Sequence, residues 1–488
     1  MWCVLVVCCT GGGGEHALLA ELRALRLCHE KVLQRQEEME NARMARVATP
    51  TPTHRGQQLV DALTKLGSIL IADPAPGDPV MSAEVYTEFK TRVAGKHENV
   101  LSAALTPLLT ALVPRGLVLS NTVHYQWLPP SDEAPPQFWR KPDLLVAHPG
   151  AIKRRLAPDT AVLDEQKAYC EGKHVFGGLD DPVHTSVYLN SVWEGKNNLG
   201  NGHKAVGELA DYISCVGVRD RTLLGVLYDI KSFWLLECSN TFISKIIKCK
   251  WTTPGSLERL RAALDDERWR TPECTALLEA ERLLKVSCAF EAGASASALL
   301  GIGGYGRVFR VLEDGSGQDG ALKVVVSPDS ADPALRAEVE MLQAACKAGC
   351  KVATVVADPV SLSAGSAAYL LREVGTRFRG ATLDDQQSAV KALCSLHQRG
   401  FVHGDARVPN VLRHNGALMW VDMRSSYVCD EGAAGALTRR EADLRTLLLS
   451  MLGGTLLPDK LMVALKYSAN DASDTVCDRV CRALQPQP

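Results

Sequence analysis

The chain has 488 residues, a hydrophobic content of 46%, a charged content of 23% and a formal net charge of −2. A chain of this length predicts about two to four domains. The near-zero net charge excludes a protein that binds nucleic acid or membranes through its overall charge, although a local basic groove is compatible with it. The 16 cysteines contain no C-x-x-C pair, which predicts reduced thiols in an intracellular protein, cytoplasmic or nuclear. No apolar run reaches the roughly 18 residues that a membrane-spanning helix needs, so we expect no membrane span.

The sequence predicts that residues 1–80 form a helical and linker region. Residues 1–9 are apolar but lack the positive charges that begin a secretory signal, so a buried segment is favoured and a signal peptide is the alternative. Residues 15–47 combine leucines with charged helix formers and contain no Pro or Gly. This composition predicts one long helix, with a coiled coil as the alternative, and Pro50 and Pro52 end it.

Residues 81–250 alternate helical and strand-like runs and predict an α/β domain built on a mixed sheet. One strand-like run carries Asp143 in a Pro-Asp pair, and a later one carries Glu194 and Lys196 in a Glu-x-Lys pattern. Residues two positions apart on a strand point to the same side. Glu194 and Lys196 are therefore expected to enter one site together.

This pattern resembles the PD-(D/E)xK nuclease superfamily. The resemblance implies that Asp143 and Glu194 bind one or two Mg²⁺ ions, and that Lys196 positions or activates the attacking water. It also implies contact with DNA. A helix over about residues 97–112 offers Glu98 as a further metal ligand. The alternative is an exposed carboxylate–lysine pair on an edge strand.

Three further features bear on this resemblance. The helix after the Glu-x-Lys pattern carries Glu208 and Tyr212, which is similar to the Q-x-x-x-Y element of RecB-type nucleases with Glu in place of Gln. The separation of 51 positions between Asp143 and Glu194 requires an insertion. The D-x-K sequence at Asp229 lies on a later strand, which favours a structural role.

The sequence predicts that residues 251–290 form a helical connector and that residues 291–488 form a further domain. This domain begins with a glycine loop between β-branched runs. Glycines there let backbone N–H groups approach phosphates without side-chain clashes. The loop contains Gly301, Gly303, Gly304 and Gly306, and the strand positions Val308, Ala321 and Lys323 follow.

The motifs after the glycine loop come in a fixed order. Lys323 lies on a strand, a Glu follows on a helix, Asp405 and Asn410 lie in His-Gly-Asp-x-x-x-x-Asn, and Asp422 comes last. This order resembles that of protein kinases. The resemblance implies a bilobal minimal protein-kinase-like domain that transfers phosphate from ATP to a protein, most simply to Ser or Thr. It also implies that the loop glycines, Val308, Ala321 and Lys323 bind ATP.

The resemblance assigns a role to each polar residue. Lys323 contacts the phosphates and pairs with a Glu on the helix that Pro333 opens. Glu338 and Glu340 are both candidates for this partner. Glu338 is preferred because an apolar pair begins three residues after it. The alternative for Lys323 and its partner is a solvated surface pair.

Asp405 orients or deprotonates the acceptor hydroxyl, while Asn410 and Asp422 hold Mg²⁺. The alternative is a pair of aspartates in turns. The chain also departs from the kinase pattern. Gly404 replaces the usual Arg of H-R-D, the D-F-G motif is Asp-Met-Arg, no A-P-E motif is present, and only 66 residues follow Asp422.

The expected architecture is an α/β and α+β multidomain protein with an N-terminal helix, a mixed-sheet nuclease-like domain and a kinase-like domain. This pairing resembles the Crinkler-type proteins of oomycetes, fungi and some protists, whose N-terminal translocation motif is not visible here. Family membership would imply intracellular or host-nuclear action. Three function classes stay open: an ATP-dependent phosphotransferase, a Mg²⁺-dependent nuclease regulated by a pseudokinase, and a nucleotide-binding module without activity.

Overall fold

The computed structural model describes most of the chain from residue 52 onward. The described ranges are 52–123, 140–154, 176–179, 186–200, 202–216, 221–239, 243–289, 298–303, 306–327, 331–429, 435–467 and 472–485. The long helix expected over residues 15–47 lies outside these ranges. Within them the chain is mixed α/β, with eleven α-helices and five sheets. No helix among the described residues is long and apolar enough to cross a membrane.

The helices and strands alternate along the chain. The helices are α1 (Pro52–Lys65), α2 (Ala83–Val93), α3 (Glu98–Thr110), α4 (His203–Cys215), α5 (Ser256–Asp265), α6 (Pro272–Leu284), α7 (Asp332–Lys347), α8 (Leu383–Gln398), α9 (Ala436–Leu452), α10 (Asp459–Ala464) and α11 (Ser473–Leu484). The strands of the first half are β1 (Ile69–Ile71), β2 (Val118–Asn121), β3 (Leu144–Ala147), β4 (Ile152–Arg154), β5 (Phe176–Leu179), β6 (Leu189–Gly195), β7 (Thr222–Tyr228), β8 (Ser232–Ser239) and β9 (Ile243–Lys250). The strands of the second half are β10 (Val286–Cys288), β11 (Leu299–Gly303), β12 (Gly306–Glu313), β13 (Asp319–Val325), β14 (Val355–Ser361), β15 (Ala367–Leu371), β16 (Thr376–Arg377), β17 (Phe401–Val402), β18 (Val411–His414), β19 (Ala417–Trp420) and β20 (Tyr427–Val428).

The first sheet has seven strands in the order β1-β9-β8-β7-β6-β3-β2. Strand β6 lies inside the sheet, next to the central strand β7, and every residue of β6 is buried. The strand runs antiparallel to β3, with Trp193 opposite Leu144, and parallel to β7, with Glu194 opposite Leu227. The sheet is therefore mixed, and the first residues of β3 lie beside the last residues of β6.

The second sheet has the order β10-β12-β13-β15-β14, with β11 paired to β12. Its side chains alternate between two faces, as the pleat of a strand requires. Phe309, Leu322 and Leu370 on one face join the hydrophobic core of the first sheet. Ala321 and Tyr369 on the opposite face join a second core, formed with α7 and the C-terminal helices. The second sheet is thus buried on both faces.

The sequence predicts a helical connector over residues 251–290, but the end of this segment is a strand. Helices α5 and α6 occupy most of it. Its last residues form β10, because Val286–Cys288 pair with Val311–Glu313 of β12. Beyond the second sheet, α8, α9 and α11 form a helical part that carries the small β-ribbons β16-β18-β19 and β17-β20.

Candidate functional site

Asp143 and Glu194 come together because β3 and β6 are antiparallel. The Asp143 N–H donates to Trp193 O at 3.0 Å, and the Gly195 N–H donates to Asp143 Oδ2 at 2.7 Å. A Cβ at position 195 would lie 2.9 Å from that Asp143 oxygen and 2.7 Å from the ring of Tyr228. Glycine between Glu194 and Lys196 therefore lets the two carboxylates approach. Asp143 is 8% exposed and Glu194 5% exposed.

Burial dominates the electrostatics of this pair. It raises the pKa of Asp143 to about 6. It raises the pKa of Glu194 to about 8, and the nearby Asp143 carboxylate adds to the increase. Glu194 therefore resists ionisation at neutral pH unless a positive charge enters beside it, whereas Asp143 ionises more readily.

Lys196 lies among three carboxylates. Its Nζ is 2.5 Å from Glu194 Oε1, 2.9 Å from Glu208 Oε2 and 3.8 Å from Glu98 Oε2. Burial alone would lower the pKa of Lys196, but Glu194 and Glu208 outweigh it and the pKa is raised. The structure thus brings Asp143, Glu194, Lys196 and Glu98 into one cluster, with Glu208 of α4 as a further member.

The donor set of this cluster fits a divalent cation. Glu194 Oε2 is buried and accepts no hydrogen bond from any described residue, which leaves its lone pairs available. Mg²⁺ prefers hard oxygen ligands such as carboxylates. Asp143 and Glu194 would hold the ion, with Glu98 as a further oxygen donor at the edge of the cluster.

Two residues near this cluster have structural partners. Asp229 accepts hydrogen bonds from the Leu199 N–H at 3.0 Å and from the Lys231 N–H at 2.8 Å, and it is 3% exposed. The structural role that the sequence favours for Asp229 is confirmed. Asp211 of α4 makes an ion pair with Arg55 of α1, a partner 156 positions away that no local pattern indicates.

The glycine loop forms the hairpin between β11 and β12. A Cβ at Gly301 would meet no atom within 4 Å, and one at Gly303 would meet only Gly306 O at 3.6 Å. The hairpin therefore leaves open space in front of its backbone. Val308 packs against the second core and Ala321 belongs to it, so both lie on the face of the second sheet that carries Lys323. Gly304 lies outside the described residues.

Lys323 joins three elements of this part of the chain. Its Nζ lies 2.7 Å from Glu338 Oε1 on α7 and 2.9 Å from Asp422 Oδ1 after β19. The Tyr369 hydroxyl donates to Glu338 Oε1 at 2.8 Å. Glu338 is 1% exposed whereas Glu340 is exposed, so this is a buried ion pair and not a solvated one.

The charges of this cluster are mutually stabilised. Burial alone would lower the pKa of Lys323, but Glu338 and Asp422 raise it. Burial alone would raise the pKa of Asp422, but Lys323 lowers it. Asp422 also has a φ of 60°, in the left-handed region that non-glycine residues rarely adopt, and such backbone strain is concentrated at functional sites.

Asp405 and Asn410 lie on one loop. Asn410 Nδ2 donates to Asp405 O at 2.9 Å and to Asp405 Oδ2 at 3.0 Å. Arg407 donates two hydrogen bonds to the Asp405 carboxylate, at 2.5 and 2.6 Å, and its side chain is 56% exposed. The Asn410 Oδ1 and the Asp422 carboxylate are hard oxygen donors of the kind that Mg²⁺ selects. These residues, with Lys323 and the open hairpin, fit a Mg²⁺–nucleotide.

Asp443 on α9 supports this loop, although no sequence pattern marks it as a residue of the site. Its carboxylate accepts the His403 N–H at 2.7 Å and the Gly404 N–H at 2.9 Å. His397 Nε2 donates to it at 3.1 Å, because a carboxylate only accepts. A buried acidic residue thus fixes the backbone directly before Asp405.

Gly404 occupies the position where the kinase pattern has Arg. Its φ is 77°, and a Cβ there would lie 2.1 Å from Ser425 O. His403 beside it is buried, which lowers its pKa. Its Nδ1 accepts the Asp405 N–H at 3.3 Å, so its Nε2 donates to Val421 O at 3.1 Å. The loop is therefore tied to the residue that precedes Asp422.

A third cluster consists of His148, Glu281 and Cys288, whose ligand atoms lie within 4.8 Å of one another. Its donor set does not fit a metal ion. His148 Nδ1 accepts the Gly150 N–H at 3.0 Å and His148 Nε2 lies 2.8 Å from Glu281 Oε2, so Nε2 carries the proton of the neutral ring. Glu281 Oε1 accepts the Cys288 N–H at 2.7 Å. This cluster is a hydrogen-bonded junction between the two sheets.

No model of a protein family matches the chain, and no curated protein matches it significantly. The two clusters around Glu194 and Lys323 are therefore the features from which a function can be inferred.

Proposed function

We propose that the chain is an ATP- and Mg²⁺-dependent phosphotransferase whose residues 291–488 form a minimal protein-kinase-like domain. The observation that carries this proposal is the position of Lys323, with its Nζ 2.7 Å from the buried Glu338 and 2.9 Å from Asp422. In the kinase mechanism, the lysine at the position of Lys323 holds the nucleotide phosphates. The aspartate at the position of Asp422 holds the metal ion. The ammonium group of Lys323 thus lies between two carboxylates on separate elements, beside the residue that would hold the metal ion.

The other residues have complementary roles. The hairpin around Gly301 and Gly303 would cradle the phosphates with backbone N–H groups. Asn410 and Asp422 would hold Mg²⁺, which neutralises charge on the transferred phosphoryl group. Asp405 would accept the proton of the acceptor hydroxyl, and Arg407 holds its carboxylate in a fixed orientation.

The proposed acceptor is a hydroxyl group of a protein, of the Ser/Thr type. The chain after Asp422 limits how such an acceptor approaches. Tyr427–Val428 pair with Phe401–Val402, and α9 begins at Ala436. On this proposal the acceptor presents its hydroxyl from the exposed side of Asp405, where Arg407 lies.

A titration of Mg²⁺–ATP into the purified chain tests the assignment. We expect saturable binding that is lost in EDTA and strongly weakened by Lys323→Met, because the substitution removes a positive charge from the phosphates. Lys347→Met is the matched control, since Lys347 is exposed on α7. Equal affinities of the wild-type protein and Lys323→Met would contradict the assignment.

We further propose that residues 81–250 form a PD-(D/E)xK-type domain that cuts DNA in the presence of Mg²⁺ or Mn²⁺. The supporting observation is Glu194 Oε2, a buried carboxylate oxygen that accepts no hydrogen bond from any described residue, beside Asp143. A cation there would allow both carboxylates to ionise. Lys196, 2.5 Å from Glu194 Oε1, would position the attacking water.

Cleavage of DNA in Mg²⁺, in Mn²⁺ and in EDTA tests this second function. Glu194→Ala and Lys196→Ala should each abolish cleavage without unfolding the protein. Lys204→Ala is the matched control, because Lys204 is 68% exposed and contacts Glu208 from the outside at 3.7 Å. Cleavage that survives Lys196→Ala, or that is insensitive to EDTA, would contradict a metal-dependent site.

The two domains together support the resemblance to Crinkler-type proteins. On this proposal residues 1–80 are an N-terminal extension, residues 251–290 connect the two active parts, and the protein acts inside a cell. The alternative in which the kinase-like domain only binds nucleotide and regulates the nuclease stays open until phosphoryl transfer is measured.

A further inference from the structure

One strand of the second sheet packs into both hydrophobic cores. Strand β12 directly follows the glycine loop, and its side chains alternate between the two faces of the sheet. Val308 lies on the face of Lys323 and packs against the second core. Phe309 lies on the opposite face and belongs to the core of the first sheet. The strand that would hold a nucleotide is therefore also part of the core that holds Glu194.

The contact on the first-sheet side is made by Tyr188. The Phe309 ring meets the Tyr188 ring edge-on, with centroids 5.7 Å apart and an interplanar angle of 88°. The Arg307 guanidinium lies over the same ring, 5.6 Å from its centroid. Tyr188 is 1% exposed and directly precedes β6, the strand that carries Glu194. One side chain thus joins Arg307 and Phe309 of β12 to the start of β6.

The segment that contains Tyr188 is held from several sides. Arg221 Nη1 donates to Ser186 O at 2.7 Å, and Thr271 Oγ1 donates to Val187 O at 2.6 Å. The His148 N–H donates to Tyr188 O at 3.0 Å. These bonds fix the backbone from Ser186 to Tyr188, directly before β6.

The junction next to Tyr188 is closely packed. A Cβ at Gly150 would lie 3.1 Å from Phe309 Cδ1 and 3.1 Å from Cys288 Sγ. The hydrogen bonds of Glu281 to His148 and to Cys288 close the same junction at 2.8 and 2.7 Å. Packed interiors transmit displacements because they contain few voids. A change in the order or position of β12 therefore reaches β6 directly.

We propose that nucleotide binding at the glycine loop and cation binding at Asp143 and Glu194 favour one another, and that the contact of Arg307 and Phe309 with Tyr188 transmits the effect. The inference rests on the proposed function and names the regulation of the same two sites. The sign follows from the shared packing. Each ligand binds the arrangement in which β12, Tyr188 and β6 are packed together, so binding of one ligand shifts the population towards the arrangement that the other ligand binds. The effect is reciprocal, because linkage between two binding sites is symmetric.

A mutant cycle on the full chain tests the proposal. The affinity for a fluorescent, non-hydrolysable ATP analogue is measured in saturating Mg²⁺ for the wild-type protein and for Glu194→Gln, which weakens the distant cation site. We expect Glu194→Gln to weaken nucleotide binding about fivefold, the lower end of usual couplings between sites. The same substitution should have no effect in a Tyr188→Leu background, where the ring is gone but the apolar bulk remains.

Two further variants keep the result interpretable. Tyr188→Phe is the matched control, because it retains the ring that Arg307 and Phe309 contact, and the fivefold effect should persist in it. Arg307→Gln tests the route from the other side of the contact if Tyr188→Leu does not fold. Circular dichroism and thermal unfolding establish that each variant is folded.

The outcomes separate this inference from the function on which it rests. Equal nucleotide affinities of the wild-type protein and Glu194→Gln would overturn the coupling and leave the phosphotransferase proposal intact. An effect of Glu194→Gln that persists in both Tyr188→Leu and Arg307→Gln would overturn the route through Tyr188. A wild-type protein that binds no nucleotide would contradict the proposed function, and the coupling with it.

Discussion

Lys323 and Asp422, 99 positions apart in the sequence, form an ion pair with Nζ 2.9 Å from Oδ1. The same Nζ lies 2.7 Å from Oε1 of Glu338. Strand β13, helix α7 and the loop after β19 therefore meet at one ammonium group. This arrangement links the stability of the C-terminal part to the residues that would bind the nucleotide.

The first prediction separates the structural from the catalytic contribution of Lys323. Lys323→Met leaves Glu338 buried without its cation, and breaking one side of a buried pair costs about 3–5 kcal/mol in the free energy of unfolding. Lys323→Met combined with Glu338→Leu removes the buried pair of charges and should recover part of that loss, because the Tyr369 hydroxyl then lacks its acceptor. Neither variant should transfer phosphate. Chemical denaturation and a transfer assay on the same preparations measure both quantities, and a double variant that transfers phosphate would exclude Lys323 from the reaction.

The second prediction concerns Gly404. Gly404→Ala places a Cβ 2.1 Å from Ser425 O at a φ of 77°, so the loop that carries Asp405 must move. Gly416→Ala is the matched control, because Gly416 has a φ of 78° but open space around it. The control should lose only about 1–2 kcal/mol, the cost of a left-handed residue with a Cβ. Gly404→Ala should lose more stability and also phosphoryl transfer. Equal effects of the two substitutions would show that the Ser425 contact is unimportant.

The third prediction concerns pH and metal at the first site. Burial raises the pKa of Glu194 to about 8 and that of Asp143 to about 6. A carboxyl group whose pKa is raised by folding stabilises the folded state at low pH and loses that contribution as the pH rises through the folded pKa. In EDTA, the Tm of the wild-type protein should therefore fall relative to that of Glu194→Gln between about pH 5 and pH 8.

Addition of Mn²⁺ at the upper end of this pH range should reverse the fall, because a cation between the carboxylates favours their ionised forms. Thermal unfolding of both proteins, with EDTA and with Mn²⁺, is the measurement. A difference in Tm that is constant with pH, or that does not respond to Mn²⁺, would mean that Glu194 is not a buried cation ligand.

Local patterns in the sequence are sufficient to predict part of each cluster. Glu194 and Lys196 follow from the two-residue period of a strand, although Lys196 lies just beyond the end of β6. The choice of Glu338 over Glu340 follows from the apolar residues after it, which set the buried side of α7. The mixed α/β class follows from the alternation of helical and strand-like runs.

Other partners come from chain segments that no local pattern connects. Asp443 lies 40 positions after His403, and nothing in its own helix marks it as the acceptor of two loop N–H groups. Tyr188 follows a long insertion, and its contact with Phe309 depends on how the two sheets pack. Such contacts depend on tertiary packing, which periodicity and motif spacing do not encode.

On the proposed function, Asp405 acts on the acceptor of a phosphoryl transfer while Lys323, Asn410 and Asp422 bind Mg²⁺–ATP. The sharpest test measures nucleotide affinity and transfer of the terminal phosphate from labelled ATP on one preparation, for the wild-type protein and Asp405→Asn, in Mg²⁺ and in EDTA. We expect Mg²⁺-dependent transfer by the wild-type protein, and an Asp405→Asn variant that binds nucleotide with near-wild-type affinity but transfers phosphate more slowly by orders of magnitude. A wild-type protein that binds nucleotide but is as inactive as Asp405→Asn with every acceptor would contradict the proposed function and favour a nucleotide-binding module.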